Sequence, residues 1–227
     1  MLRTESWRPM AFGFKDPRRI REPICEPLWW GVRVLVSVDR FGVRIRDVDG
    51  TEIDGWPDLR EAIKWAASST DEVVFDAYLV PAFEDTIGVE GFTDVDLPSS
   101  RHIVRTFFFG SLGSGRDKRD DRIKDVQARI VDVNPEADAA IVAIDLLWLD
   151  GESLVDLPLG ERKRLLDAVI TEKDLVRRTV HVRPPVETWY RQWRAFGFRE
   201  FAVKDANSRY VPGGESDLWT TAAIPKR

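Results

Sequence analysis

Few side chains in this sequence combine reactivity with surroundings that favour chemistry. Asp76 lies inside Val73-Val74-Phe75-Asp76-Ala77-Tyr78-Leu79-Val80, and Asp145 inside Ala143-Ile144-Asp145-Leu146-Leu147-Trp148. Both carboxylates interrupt apolar runs. Each could ligate a metal ion or, more simply, cap local backbone N–H groups. Lys204 ends Phe201-Ala202-Val203-Lys204 and could meet a phosphate, or pair with Glu200 or another acid. His102 and His181 stand alone and read as structural or surface residues. Cys25 is the only cysteine, so no intramolecular disulfide forms, and it reads as a small buried apolar group. Gly110-Ser111-Leu112-Gly113-Ser114-Gly115 lacks the Lys-Ser or Lys-Thr pair of a phosphate loop and reads as a surface hinge.

The elements that must position these groups follow from periodicity. Arg33 to Asp39 and Phe41 to Arg46 alternate apolar and polar residues, which predicts a hairpin turning at Asp39-Arg40. Asp49-Gly50 marks a further turn. Leu59, Ile63 and Ala66 share one face of a helix expected from about Asp58 to Ser68. Strands are expected at Val73–Val80, Ala143–Leu149 and Val180–Arg183. An amphipathic helix with Leu165, Leu166 and Val169 inward follows the Asp150-Gly151 turn. A second helix, Pro185 to Phe196, displays Trp189, Trp193 and Phe196, and Arg116 to Val131 reads as a solvated helix of mixed charge.

A chain of 227 residues can bury a core as one domain. The net charge of −5 argues against an obligate nucleic-acid binder, though a local basic face can coexist with an acidic total. The available basic surface is the Arg116 to Lys124 cluster and the arginines at 177, 178, 183, 191 and 194. No apolar run approaches the ~20 residues of a membrane span, and the start has no signal-peptide core. The expected location is cytoplasmic.

Glu26-Pro27-Leu28-Trp29-Trp30-Gly31-Val32-Arg33 resembles the first motif of ATP-dependent DNA ligases, Glu-Pro-Lys-x-Asp-Gly-x-Arg. Leu28 stands in the place of the lysine that becomes adenylated, and Trp30 in that of the aspartate, while Gly31 and Arg33 remain. Asp76-Ala77-Tyr78-Leu79-Val80 resembles Asp-Gly-Glu-Leu-Val, with Tyr78 for the ribose-binding glutamate. The run from Ile144 to Gly151 and Leu157-Pro158-Leu159-Gly160-Glu161-Arg162 to Leu166 resembles Phe-Asp-Leu-Leu-x-Leu-Asp-Gly and Pro-Leu-x-x-Arg-x-x-x-Leu. There Ile144 replaces the aromatic residue that stacks on adenine. Arg199 takes the glutamate's place in Glu-Gly-Val-Val-x-Lys, whose lysine is Lys204. Thr221 and Ala223 take the places of the last pocket lysines.

The resemblance implies an α+β, ATP-grasp-like DNA ligase adenylation-domain fold, with two antiparallel sheets flanked by helices. It implies a single ligase-like nucleotidyltransferase domain over residues 1–227 without the oligonucleotide-binding barrel. The former nucleotide pocket would be formed by Leu28, Trp30, Arg33, Asp76, Tyr78, Ile144, Arg199, Lys204 and Thr221, with Trp30 and Tyr78 filling it. The expected function is a non-catalytic ligase-like protein that binds a protein partner or DNA in repair or replication, with neither cofactor nor metal. The alternative is an active ligase or nucleotidyltransferase using ATP and Mg²⁺ to form an enzyme–AMP intermediate.

Overall fold

The computed structural model describes residues 4–29, 31–81 and 139–226. The chain runs β1 (Ala11–Phe12), a short 3-10 turn, β2 (Pro23–Pro27), β3 (Val32–Asp39), β4 (Gly42–Arg46), α1 (Pro57–Ala66) and β5 (Val73–Pro81). It resumes with β6 (Ala139–Leu149), β7 (Glu152–Ser153), α2 (Leu159–Val169), β8 (Val176–Arg178), α3 (Glu187–Ala195), β9 (Glu200–Asp205), β10 (Glu215–Ser216) and β11 (Trp219–Ala223). The expected glycine-rich hinge, the 116–131 helix, His102 and Trp30 lie outside the described residues.

The larger sheet has the order β4-β3-β5-β6-β7, with β8 beside β6; the smaller is β11-β9-β2. Both are antiparallel except for the parallel β6–β8 pair, and β1 pairs β10 in parallel. Because strand side chains alternate between faces, Val32, Val34, Val36, Phe75, Ala77 and Leu79 form one apolar layer with Leu59 and Ile63 of α1 and Leu166 and Val169 of α2. The opposite face carries Arg33, Leu35, Asp76 and Tyr78. In the smaller sheet Cys25, Phe201 and Val203 pack outward on Trp193 of α3, while Ile24 and Ala202 join Leu35 and Trp219 in a cluster between the sheets. Glu26 and Lys204 therefore share the inner face with Ile24 and Ala202.

The predicted hairpin forms as β3–β4, and Asp150 (φ 44°) with Gly151 (φ 93°) turns β6 into β7, as that dipeptide favours. The expected strand at Val180–Arg183 does not form. Val182 makes a single bridge to Cys25, and Pro184 and Pro185 have no N–H with which to extend the ladder. The strand is instead Val176–Arg178, set beside β6 by the fully buried Val176. Leu165 is only partly buried; the inward places on α2 beside Leu166 and Val169 belong to Arg162 and Lys163. At the far end of the β5–β6 ladder, Pro81 pairs with Ala139.

Candidate functional site

Two irregularities in the β5–β6 ladder shape the inner face. Asp76 opposes Asp145 while Ala77 opposes Ala143, so Ile144 is an extra residue in β6. This bulge lets Ile144 and Asp145, neighbours in sequence, both lie on the inner side. Ile144 packs with Tyr78, Val80 and Val142, and Leu28 rests partly buried on that cluster and on the one containing Leu35 and Trp219. Gly31 survives for a spatial reason: a Cβ there would stand 2.3 Å from the Leu79 carbonyl oxygen of β5.

Two carboxylates directly opposite each other on neighbouring strands repel, and each has its own arginine. Arg33 of β3 grips Asp76 through Nε and Nη2, and the Tyr210 hydroxyl donates to Asp76 Oδ2 at 2.5 Å. The Arg33 guanidinium also lies 5.4 Å from the Tyr78 ring centroid and 5.6 Å from that of Phe12. Burial pushes the Tyr78 hydroxyl up to about 12, so it stays neutral at ordinary pH. Arg162 of α2 holds Asp145 through Nε (2.9 Å) and Nη2 (2.7 Å), and its Nη1 donates to the Leu157 and Ser208 carbonyls. Asp145 also accepts from the Leu146 N–H, so local capping occurs, but the arginine dominates.

A third buried cluster has one acid between two lysines. Glu26 Oε1 lies 2.5 Å from Lys163 Nζ, and Oε2 lies 2.8 Å from Lys204 Nζ; none of the three is more than 2% exposed. Lys204 also caps the Trp219 ring at 4.1 Å. Burial alone would raise the Glu26 carboxyl, but Lys163 and Lys204 outweigh it and hold it at about 2. Burial, with Lys163 and Arg33 nearby, outweighs Glu26 at Lys204 and brings that ammonium down to about 8. The two shifts are consistent: one carboxylate faces two cations, whereas each cation faces one carboxylate and another cation. His181 feels the same cluster, and burial followed by Lys163 lowers it.

The Lys204 shift has a measurable sign. The unfolded lysine keeps its proton to about 10.5, whereas the folded one releases it near 8. Between these values the unfolded chain binds more protons, so stability rises with pH across that window. Lys204→Met is expected to flatten the rise in urea midpoints taken at pH 7, 8.5 and 10. An unchanged rise would assign it to another group.

Of the residues expected at the site, Arg33, Asp76 and Tyr78 come together, as do Leu28, Tyr78 and Ile144, and Lys204 meets an acid, though Glu26 rather than Glu200. Arg199 is exposed just before β9, and Thr221 is half-buried on β11 opposite Ala202. Neither shares a hydrogen bond or ion pair with the buried network. Sequence reasoning left Glu26, Lys163 and Tyr210 without roles. Arg162 fell on a motif arginine, which was its one signal. Among the described residues no group of three or more His, Cys, Asp or Glu is placed to hold a metal ion, and no helix is long and apolar enough to cross a membrane.

The profile described as "ATP dependent DNA ligase domain" matches residues 102–221, just over half of the chain. The chain belongs to that family. A DNA ligase of Methanothrix thermoacetophila is 37% identical over 79 residues, 33% of this chain and 14% of that protein. One from Methanopyrus kandleri is 33% identical over 90 residues, covering 37% and 16%. These matches therefore span about a seventh of each relative's length. Among solved structures, a mycobacterial DNA ligase D complexed with ATP and MES superposes with a TM-score of 0.65 at 20% identity, covering 97% of this chain and 61% of that one. The ATP-dependent DNA ligase of bacteriophage T7, in complex with ATP, gives 0.52 at 17% identity over 97% and 69%. The ligase adenylation-domain fold is thus shared, with its two antiparallel sheets and flanking helices.

Proposed function

We propose that this ligase-like domain has given up adenylyl transfer and works in the cytoplasm by binding a protein partner or DNA in repair or replication. The observation that carries this reading is the use of the inner-face charges. Arg33 and Arg162 are consumed by Asp76 and Asp145, and Lys163 and Lys204 by Glu26. Adenylyl transfer needs an amine nucleophile, carboxylates for ribose and metal, and cations free to meet phosphate charge. By the resemblance, the nucleophile's place is Leu28 and the ribose carboxylate's place is Tyr78. These residues do not fit ATP with Mg²⁺, and no catalytic step is derived through them.

The test is incubation of the full chain with α-labelled ATP and Mg²⁺, followed by denaturing electrophoresis. No label is expected at the mass of the chain. A covalent adenylate there that survives denaturation and is released by acid, as a phosphoramidate is, would overturn the proposal. Titration with nicked duplex DNA at rising salt then separates the two kinds of partner, because phosphate-mediated binding falls steeply as salt increases.

A further inference from the structure

At the end of β3 remote from Gly31, roughly 25 Å along the strand, the outer surface holds a groove of about 1220 Å³ between the β3–β4 turn, α1 and the β6–β7 turn. Nothing in the charge network of the inner face reaches it. Phe41 and Trp65 line it while 81% and 46% exposed, and Trp148 joins them. Large aromatic side chains held in water within one concavity mark a binding surface more than an isolated exposed ring does.

The charges of the lining are unbalanced. Five acids, Glu5, Asp39, Glu61, Asp71 and Glu72, face three bases, Arg40, Arg44 and Lys64. Arg44 is committed to Asp39 at 2.6 Å. Arg40 lies over the Phe41 ring, 4.6 Å from its centroid. Glu72 accepts from Trp148 Nε1, whereas Glu61 and Asp71 have no ion pair among the described residues. A single-stranded nucleic acid would stack on such rings but needs a positive groove, and this one has the opposite sign. A cationic side chain gains from both features, through carboxylates along its path and ring faces that attract an ammonium or guanidinium.

We propose that this groove docks an extended segment of a partner protein rich in lysine or arginine. The aromatic rings take its side-chain stems, and Glu61, Asp71 and Glu72 take its charged ends. Arg40, exposed and resting on Phe41, and Lys173, whose ammonium lies 4.7 Å from the Trp65 ring centroid, are the chain's own competitors for those places. The inference deepens the reading of this chain as a binding domain. Adenylate formation would overturn that reading and leave the groove untouched, whereas a groove without selectivity would leave that reading standing.

The experiment is fluorescence anisotropy with the full chain and a labelled ten-residue peptide of alternating Arg and Ala. A Glu/Ala peptide and an oligo-dT strand serve as competitors. Glu61→Lys/Asp71→Lys should weaken binding on the order of ten-fold or more, and Trp65→Ala should weaken it too. Arg40→Ala should tighten it roughly two- to five-fold, by removing one of the two internal competitors. Glu187→Lys/Asp156→Lys changes net charge equally, away from the groove, and should leave binding within about two-fold. All these side chains are exposed, and matched melting curves establish folding. Equal weakening by both double variants, no tightening by Arg40→Ala, or better competition by oligo-dT would each overturn the proposal.

Discussion

Arg162→Met is expected to lower stability by about 3–5 kcal/mol, the cost of leaving a buried carboxylate without its partner. Asp145 is fully buried, and Arg162 gives it two charge-assisted bonds. The same guanidinium serves the Leu157 and Ser208 carbonyls, so its loss also strands backbone acceptors. Two residues along α2, Arg164 makes an equally short pair with Glu161 but is 65% exposed. Arg164→Met should therefore leave the urea midpoint nearly unchanged. Urea midpoints at unchanged slope compare the two. A loss below about 1 kcal/mol for Arg162→Met would mean that water or a rearranged backbone replaces the arginine.

Glu26→Gln is expected to cost a similar amount, about 3–5 kcal/mol at pH 7, by leaving Lys163 and Lys204 buried against a neutral amide. Its pH behaviour distinguishes it from a packing defect. The wild-type carboxyl is held at about 2 against an ordinary 4.5, so its contribution is complete above pH 4.5 and is lost as pH falls towards 2. The variant should lack that acid-side loss. Its deficit should shrink as pH rises towards 8, because without Glu26 to hold the charge Lys204 sheds its proton at a lower pH than the wild-type value of about 8. Denaturant titrations of both proteins between pH 3 and 10 test this; parallel curves would place the damage in packing instead.

The strands and helices were legible because their periodicity reports burial directly. Leu59, Ile63 and Ala66 predict α1, and the alternation from Arg33 to Asp39 predicts β3. The charged interior was harder to read. Arg162 and Lys163 occupy consecutive positions of a helix rich in charged residues, and only the packing of α2 against β6 turns both inward. Glu26 stands in the sequence only as the first residue of the Glu-Pro motif, yet strand alternation places it opposite a second sheet. Resemblance identified Arg33, Asp76 and Lys204 as pocket positions but could not pair them, because their partners lie 43 to 178 residues away along the chain. The strand at Val176–Arg178 was missed because three residues with two arginines do not alternate, and its place comes from the open side of β6.

Pro81 and Ala139 occupy one rung of the β5–β6 ladder, so two residues far apart in sequence are direct neighbours in the large sheet. The entropy of bringing such distant positions together grows by only about 0.6 kcal/mol for each doubling of the intervening length. Sequence distance is therefore a slowly growing burden on the pairing of these two strands, and the ladder itself outweighs it.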